Sequence, residues 1–213
     1  MMKRINKIIM LAGTVLFGMS FFSCTNELEI KQTSSGTYFK YKNGLGDSFT
    51  KTIQDLTGEK DSEIFNAADI KMLFEQTGVE QVQVASQGKS GFMVSGKLSS
   101  DKSDMINQSD LLVDKENKLA LSFSSDKLIN LYEMLPSDLQ NYIDLFMAPS
   151  FIGETMTNQE YIDLLSSFYG EELTDELQKS KVKVTLIRRD GVTRKFSVDL
   201  LNLLNLTGTL IME

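Results

Sequence analysis

The sequence predicts an α+β domain: a mainly antiparallel sheet built from hairpins, with helices packed on one face. Three observations carry that expectation. Apolar and polar residues alternate over 181–198 around Asp190-Gly191, the period-two pattern of half-buried strands. Apolar residues recur at helical spacing within 62–77, 139–146 and 161–168. Hairpins and helices fall in groups rather than in strict alternation, which favours an antiparallel over a parallel sheet.

Thr37-Tyr38-Phe39-Lys40-Tyr41 reads as a first strand. Tyr38 and Phe39 then point to opposite faces, with core packing as the default for this aromatic group. Ser62 through Thr77 reads as a helix, because Ile64, Phe65, Ala68, Met72 and Phe74 recur near its period and Gly78 stands where helices commonly end. Val79, Val82 and Val84 open a β-rich stretch that turns at Gln87-Gly88-Lys89 and returns through Phe92-Met93-Val94. Leu111–Val113 and Leu119–Phe123 form a second hairpin across the polar turn 114–117.

The middle of the chain reads as helical. Ser125 is placed to cap Lys127 through Leu135. Pro136 begins a new segment, whose apolar face is Leu139, Tyr142, Ile143 and Phe146, and Pro149 ends it. Thr157 and Glu160 have capping-box spacing, in which each side chain satisfies a backbone N–H left open by the first turn. Tyr161 to Phe168 follow, Gly170 closes that helix, and Glu171 through Lys179 add a further short one. Val182, Val184 and Leu186 alternate with Lys181, Lys183 and Thr185, and Val192, Arg194, Phe196 and Val198 return after the turn. Asp-Gly suits that turn because it accepts positive φ angles. Leu200–Leu206 reads as a short helix and Thr207–Met212 as a last strand. Residues 62–98 and 157–198 share the order helix, strand, turn, strand, as either a duplicated unit or a chance recurrence of common elements.

The N-terminus reads as an address. Lys3, Arg4 and Lys7 precede an almost wholly apolar run, Ile8 through Phe22, which ends in Phe21-Phe22-Ser23-Cys24. Cations, a short apolar core and a small residue before the cut make a secretory signal. The run falls short of the roughly 20 residues that cross a bilayer comfortably. Apolar residues followed by Ser and Cys resemble the lipobox of bacterial lipoproteins, in a Phe-rich form similar to that of Bacteroidetes-type bacteria. Phe21 departs from that pattern, since Leu is usual there. The resemblance covers about the first 29 residues and implies three things. Residues 1–23 are a signal peptide, Cys24 is lipidated and becomes the first residue, and the chain is anchored in the outer membrane on its periplasmic or surface side. Thr25 through Gly36 reads as a polar tether after the acylated Cys24, so that residues 24–36 precede a single globular domain over 37–213. Within the tether, Glu27 and Glu29 resemble acidic surface-export signals, or are simply a solvated linker.

Setting residues 1–23 aside removes three cations and leaves 19 cations against 29 anions. That acidity opposes nucleic acid and anionic membrane surfaces as partners by general attraction. Cys24 is the chain's one cysteine and there is no histidine, so Ser-His-Asp, Cys-His and histidine acid–base chemistry are excluded. Zinc usually draws on the same two residues, and no Gly-rich phosphate loop or dinucleotide fingerprint is present. No cofactor is expected.

Ser-x-x-Lys occurs at Ser86/Lys89, Ser99/Lys102 and Ser124/Lys127, without the companion motifs of penicillin-binding enzymes. Glu171, Glu172, Asp175 and Glu176 cluster on one helix. Glu172 and Glu176 share a face and are the candidate carboxylate pair, against a solvated acidic helix start. Asp110, Asp114, Glu116 and Asn117 lack calcium-loop order and read as a polar turn. The apolar stretch 146–153 either folds onto the core or marks a partner site. Three functions remain. The first is a non-enzymatic, lipid-anchored envelope protein that binds a protein partner or supports an assembly. The second is a periplasmic immunity or inhibitor protein acting on a basic target. The third is a carboxylate-based glycan hydrolase.

Overall fold

The larger of the two sheets among the described residues is built around a hairpin of β1 (Ser23–Thr33) and β2 (Gly36–Leu45). A computed structural model describes residues 23–57, 65–76, 78–98, 111–115, 118–133, 156–206 and 208–213. Beside β2 lie β4 (Gly91–Leu98) and then β3 (Glu80–Ser86). Beside β1 lie β7 (Lys181–Ile187) and then β8 (Thr193–Asp199). The order is therefore β3-β4-β2-β1-β7-β8. Every neighbouring pair is antiparallel except β1 and β7, which run parallel. The smaller sheet has the order β5-β6-β9, from β5 (Leu112–Lys115), β6 (Lys118–Phe123) and β9 (Leu210–Met212). Among the described residues the helices are α1 (Asp47–Thr57), α2 (Ala67–Gln76), α3 (Ser125–Glu133), α4 (Asn158–Tyr169), α5 (Glu171–Lys179) and α6 (Leu200–Leu204). The α+β class that the sequence predicts is the class observed.

Alternation decides which sheet face is covered. Thr37, Phe39, Tyr41, Asn43 and Leu45 of β2 are buried while the residues between them are not. Val182, Val184 and Leu186 of β7 behave the same way. These inner positions meet the helices. Phe39 stacks on Phe74 of α2 with ring centroids 5.5 Å apart, and Phe65 meets Phe92 edge-on at 4.9 Å. Leu173 and Leu177 of α5 and Leu200, Leu203 and Leu204 of α6 are buried in the same core. Burying a leucine or phenylalanine side chain stabilises the fold by about 1.5–3 kcal/mol.

The stretch expected to be a tether is instead β1, the strand between β2 and β7. Its inward positions are Asn26, Leu28, Ile30 and Gln32, so half of them are amides and the local alternation looks like a polar linker. Those amides are buried because partners satisfy them. Tyr41 donates from its hydroxyl to Asn26 Oδ1 at 2.8 Å, and Asn43 Nδ2 donates to the Tyr41 oxygen at 2.9 Å. Gln32 Nε2 donates to Asp114 Oδ1, and Arg189 N to Gln32 Oε1 at 3.4 Å. Asp114 also accepts from Thr37 Oγ1. Asp114, expected in a polar turn but found on β5, thus joins the small sheet to the large one.

Other boundaries shift for local reasons. The helix expected from Ser62 starts at Ala67, because Asn66 Oδ1 accepts from the Ala68 N–H at 2.8 Å and caps it; residues 62–64 lie outside the described residues. At its other end Val79 N donates to Phe74 O at 3.1 Å, the bond that commonly closes a helix at Gly. Ser124 rather than Ser125 accepts from the Lys127 N–H, at 3.4 Å, while Ser125 Oγ is turned to Leu206 O at 2.9 Å. The Thr157–Glu160 capping box forms as expected. Its bonds from the Thr157 backbone and hydroxyl hold the Glu160 carboxyl below its ordinary value. Gly191 takes φ 85° in the β7–β8 turn. The segments at 136–149 and 146–153 lie outside the described residues. The two helix-hairpin units enter the sheet differently: β4 joins β2 antiparallel, whereas β7 joins β1 parallel.

Candidate functional site

Helices pack on one face of the large sheet, and on its other face none of the described side chains is buried. Strand register sorts most of them into three cross-sheet rows, with Lys181 and Asp199 paired beyond the first. The first runs Ala85, Met93, Lys42, Glu27, Lys183, Ser197, and the second Gln83, Ser95, Lys40, Glu29, Thr185, Lys195. The third runs Glu80, Lys97, Tyr38, Lys31, Ile187, Thr193. The rows hold six lysines (Lys31, Lys40, Lys42, Lys97, Lys183 and Lys195) against Glu27, Glu29 and Glu80. The face is therefore net positive on a chain whose net charge is −7. An open depression of about 680 Å³ lies over Glu27, Glu29, Lys40, Lys42, Lys183 and Lys195.

Some of these charges are matched within the face. Lys183 Nζ lies 3.3 Å from Glu27 Oε1, and Lys97 Nζ lies 3.8 Å from Glu80 Oε2. Lys40, Lys42 and Lys195 have no carboxylate within 4.0 Å among the described residues. Glu29 stands directly opposite Lys40 in the ladder. Each row over the depression thus places a carboxylate between ammonium groups, and the ammonium groups outnumber it.

Cys24 lies at the head of β1, where the β1–β2 register slips between Ser23 and Thr25. The cysteine is therefore the extra residue of a bulge, and Asn26 two residues on is 1% exposed. Glu27 and Glu29, expected in a linker, belong to the outer sheet face.

The candidate carboxylate pair does not assemble as a pair. Glu176 Oε2 accepts from the Ser48 N–H at 3.0 Å and so caps α1, whereas Glu172 is exposed. Ser86 and Lys89 are both exposed, Ser124 accepts the Lys127 backbone N–H, and Ser99 and Lys102 lie outside the described residues, as do Asp110, Glu116 and Asn117. Tyr38 is half-buried on the outer face, while Phe39 and Tyr41 are core. Burial pushes the Tyr161 and Tyr169 phenols up. Among the described residues no three His, Cys, Asp or Glu gather as a metal site, and no helix is long and apolar enough to cross a membrane. No protein family, curated protein or solved structure matches this chain.

The outer face is not legible in the sequence because its lysines come from five separate strands. They become neighbours only once β1 is a strand and its register is known.

Proposed function

We propose that this chain is a lipid-anchored protein of the cell envelope, held in the outer membrane through Cys24, with a non-enzymatic binding or assembly role toward a protein partner. The observation that carries the reading is the setting of the one cysteine. It follows a cationic and then apolar leader, ends in Phe21-Phe22-Ser23, and opens the strand at the centre of the fold. Acylation adds about 0.8 kcal/mol of membrane affinity per buried methylene, and more than one chain gives stable attachment. The binding role is supported by the charged outer face of the large sheet, on which no element packs among the described residues.

The test is intact-mass spectrometry of the native protein extracted from membranes. The expected mass lacks residues 1–23 and carries a diacylglyceryl group and an amide-linked acyl chain on Cys24. Cys24→Ser leaves the leader uncut. An unmodified thiol on the native protein, or an intact leader, overturns the reading.

A further inference from the structure

We propose that the outer face of the large sheet, over Lys40, Lys42, Lys183 and Lys195, docks an acidic segment of a protein partner. Charge complementarity is the first ground. Nineteen cations serve residues 24–213 against 29 anions, yet the three rows of this face hold six lysines against three carboxylates, and Lys181 beyond them is matched by Asp199 at 3.1 Å. On an acidic chain an evenly mixed surface would be net negative everywhere. The rest of the molecule therefore repels the acidic segment that this face attracts, so encounter is steered to one side.

The pattern within the face selects the kind of anion. Glu27 and Glu29 occupy the strand at the centre of the depression, with lysines on both sides. A uniformly anionic bilayer or polyanion would meet those two carboxylates head-on. A protein segment can set its carboxylates over Lys40, Lys42 and Lys195 and a neutral or cationic residue over the glutamates. The cations are all lysine, whose compact charge on a flexible stem makes adaptable point contacts rather than the fixed bidentate clamp of arginine. Strand spacing and rise give the three rows an area on the order of 600 Å². That lies below the ~800 Å² per partner of a standard stable interface. The contact is accordingly weak and salt-labile, as exposed charges are screened beyond about 10 Å at 0.1 M salt.

The inference rests on the binding role proposed above but not on the lipid, so the experiment is insensitive to acylation. The full chain in neutral detergent is titrated into a fluorescein-labelled peptide in which glutamates alternate with glycine and serine, read by anisotropy. Binding is expected at about 20 mM salt and is lost near 300 mM. Lys40→Gln with Lys42→Gln, and separately Lys183→Gln with Lys195→Gln, weaken it about tenfold each. Lys71→Gln with Lys179→Gln lowers net charge equally, removes two lysines from exposed helical ion pairs elsewhere, and leaves binding within about twofold. Glutamine keeps the strands free of like charges placed opposite one another, and circular dichroism confirms that each variant is folded. No binding at low salt overturns the proposal, as does an equal loss in the helical control. Tighter binding to phosphatidylglycerol vesicles through the same lysines overturns it in favour of a membrane-facing surface.

Discussion

At the scale of single residues, the tightest constraint is a missing side chain. Gly96 sits on β4 at an inward position between β3 and β2. A Cβ there would lie 2.5 Å from Val79 Cγ1, 3.1 Å from Glu80 O and 3.2 Å from Phe39 Cε1. Val79 and Phe39 are both buried, so neither can swing into solvent. Gly96→Ala is therefore expected to destabilise by about 1–3 kcal/mol, the usual cost of overpacking a filled core, seen as a lower urea midpoint. An unchanged midpoint would mean that Val79 changes rotamer without cost. Nothing around Gly96 in the chain announces this, because the clash is made by atoms 16 and more residues away. Glu176 makes the same point for function. Its spacing from Glu172 advertised a catalytic pair, but it accepts a hydrogen bond from an N–H that lies 128 residues earlier.

At the scale of elements, β1 decides the fold. Its ladder positions pair with β2 on one side and β7 on the other, and Leu28 faces both Tyr41 and Val184. A tether could be removed without loss. Removal of residues 24–33 is instead expected to abolish cooperative unfolding, and Leu28→Pro to do nearly the same, because proline cannot donate to a central ladder. Thermal melts followed by circular dichroism test this, and a cooperative melt in the truncated chain would return the segment to the status of a linker. The contrast with the β7–β8 hairpin shows what the sequence could disclose. That hairpin has valine and leucine at every inward position of β7 and a turn dipeptide of fixed preference, so local residues suffice. The Thr157–Glu160 box is equally local. In β1 the inward amides Asn26 and Gln32 are stable only because Tyr41 and Asp114 meet them, and those bonds exist only after the sheet has formed. For α1, which the sequence reading did not anticipate, the capping carboxylate comes from α5.

At the scale of the whole molecule, a central first strand changes what an anchor on Cys24 does. A flexible tether of a dozen residues would let the domain tumble above the bilayer. Here Asn26 is already buried, and two strand residues span only about 7 Å. If Cys24 carries the lipid, the domain stands on the membrane with the starting end of β1 down. Parallel pairing puts the start of β7 at that end, and antiparallel pairing adds the ends of β2, β3 and β8. The β3–β4 turn around Lys89 then faces lipid, and the β7–β8 turn around Asp190 lies a strand length away, roughly 20 Å. The lysine rows run up the side between them, open laterally to a neighbour in the same envelope. Because Cys24 is the chain's one cysteine, a second thiol can be labelled without interference. A spin label at Lys89→Cys in reconstituted vesicles is expected to relax strongly against a nickel-chelating lipid, and one at Asp190→Cys weakly. A glycine-serine linker inserted after Cys24 should erase the difference by restoring the slack. Equal relaxation at both sites without the linker would show that the domain is not oriented by its anchor, however firmly the lipid holds it.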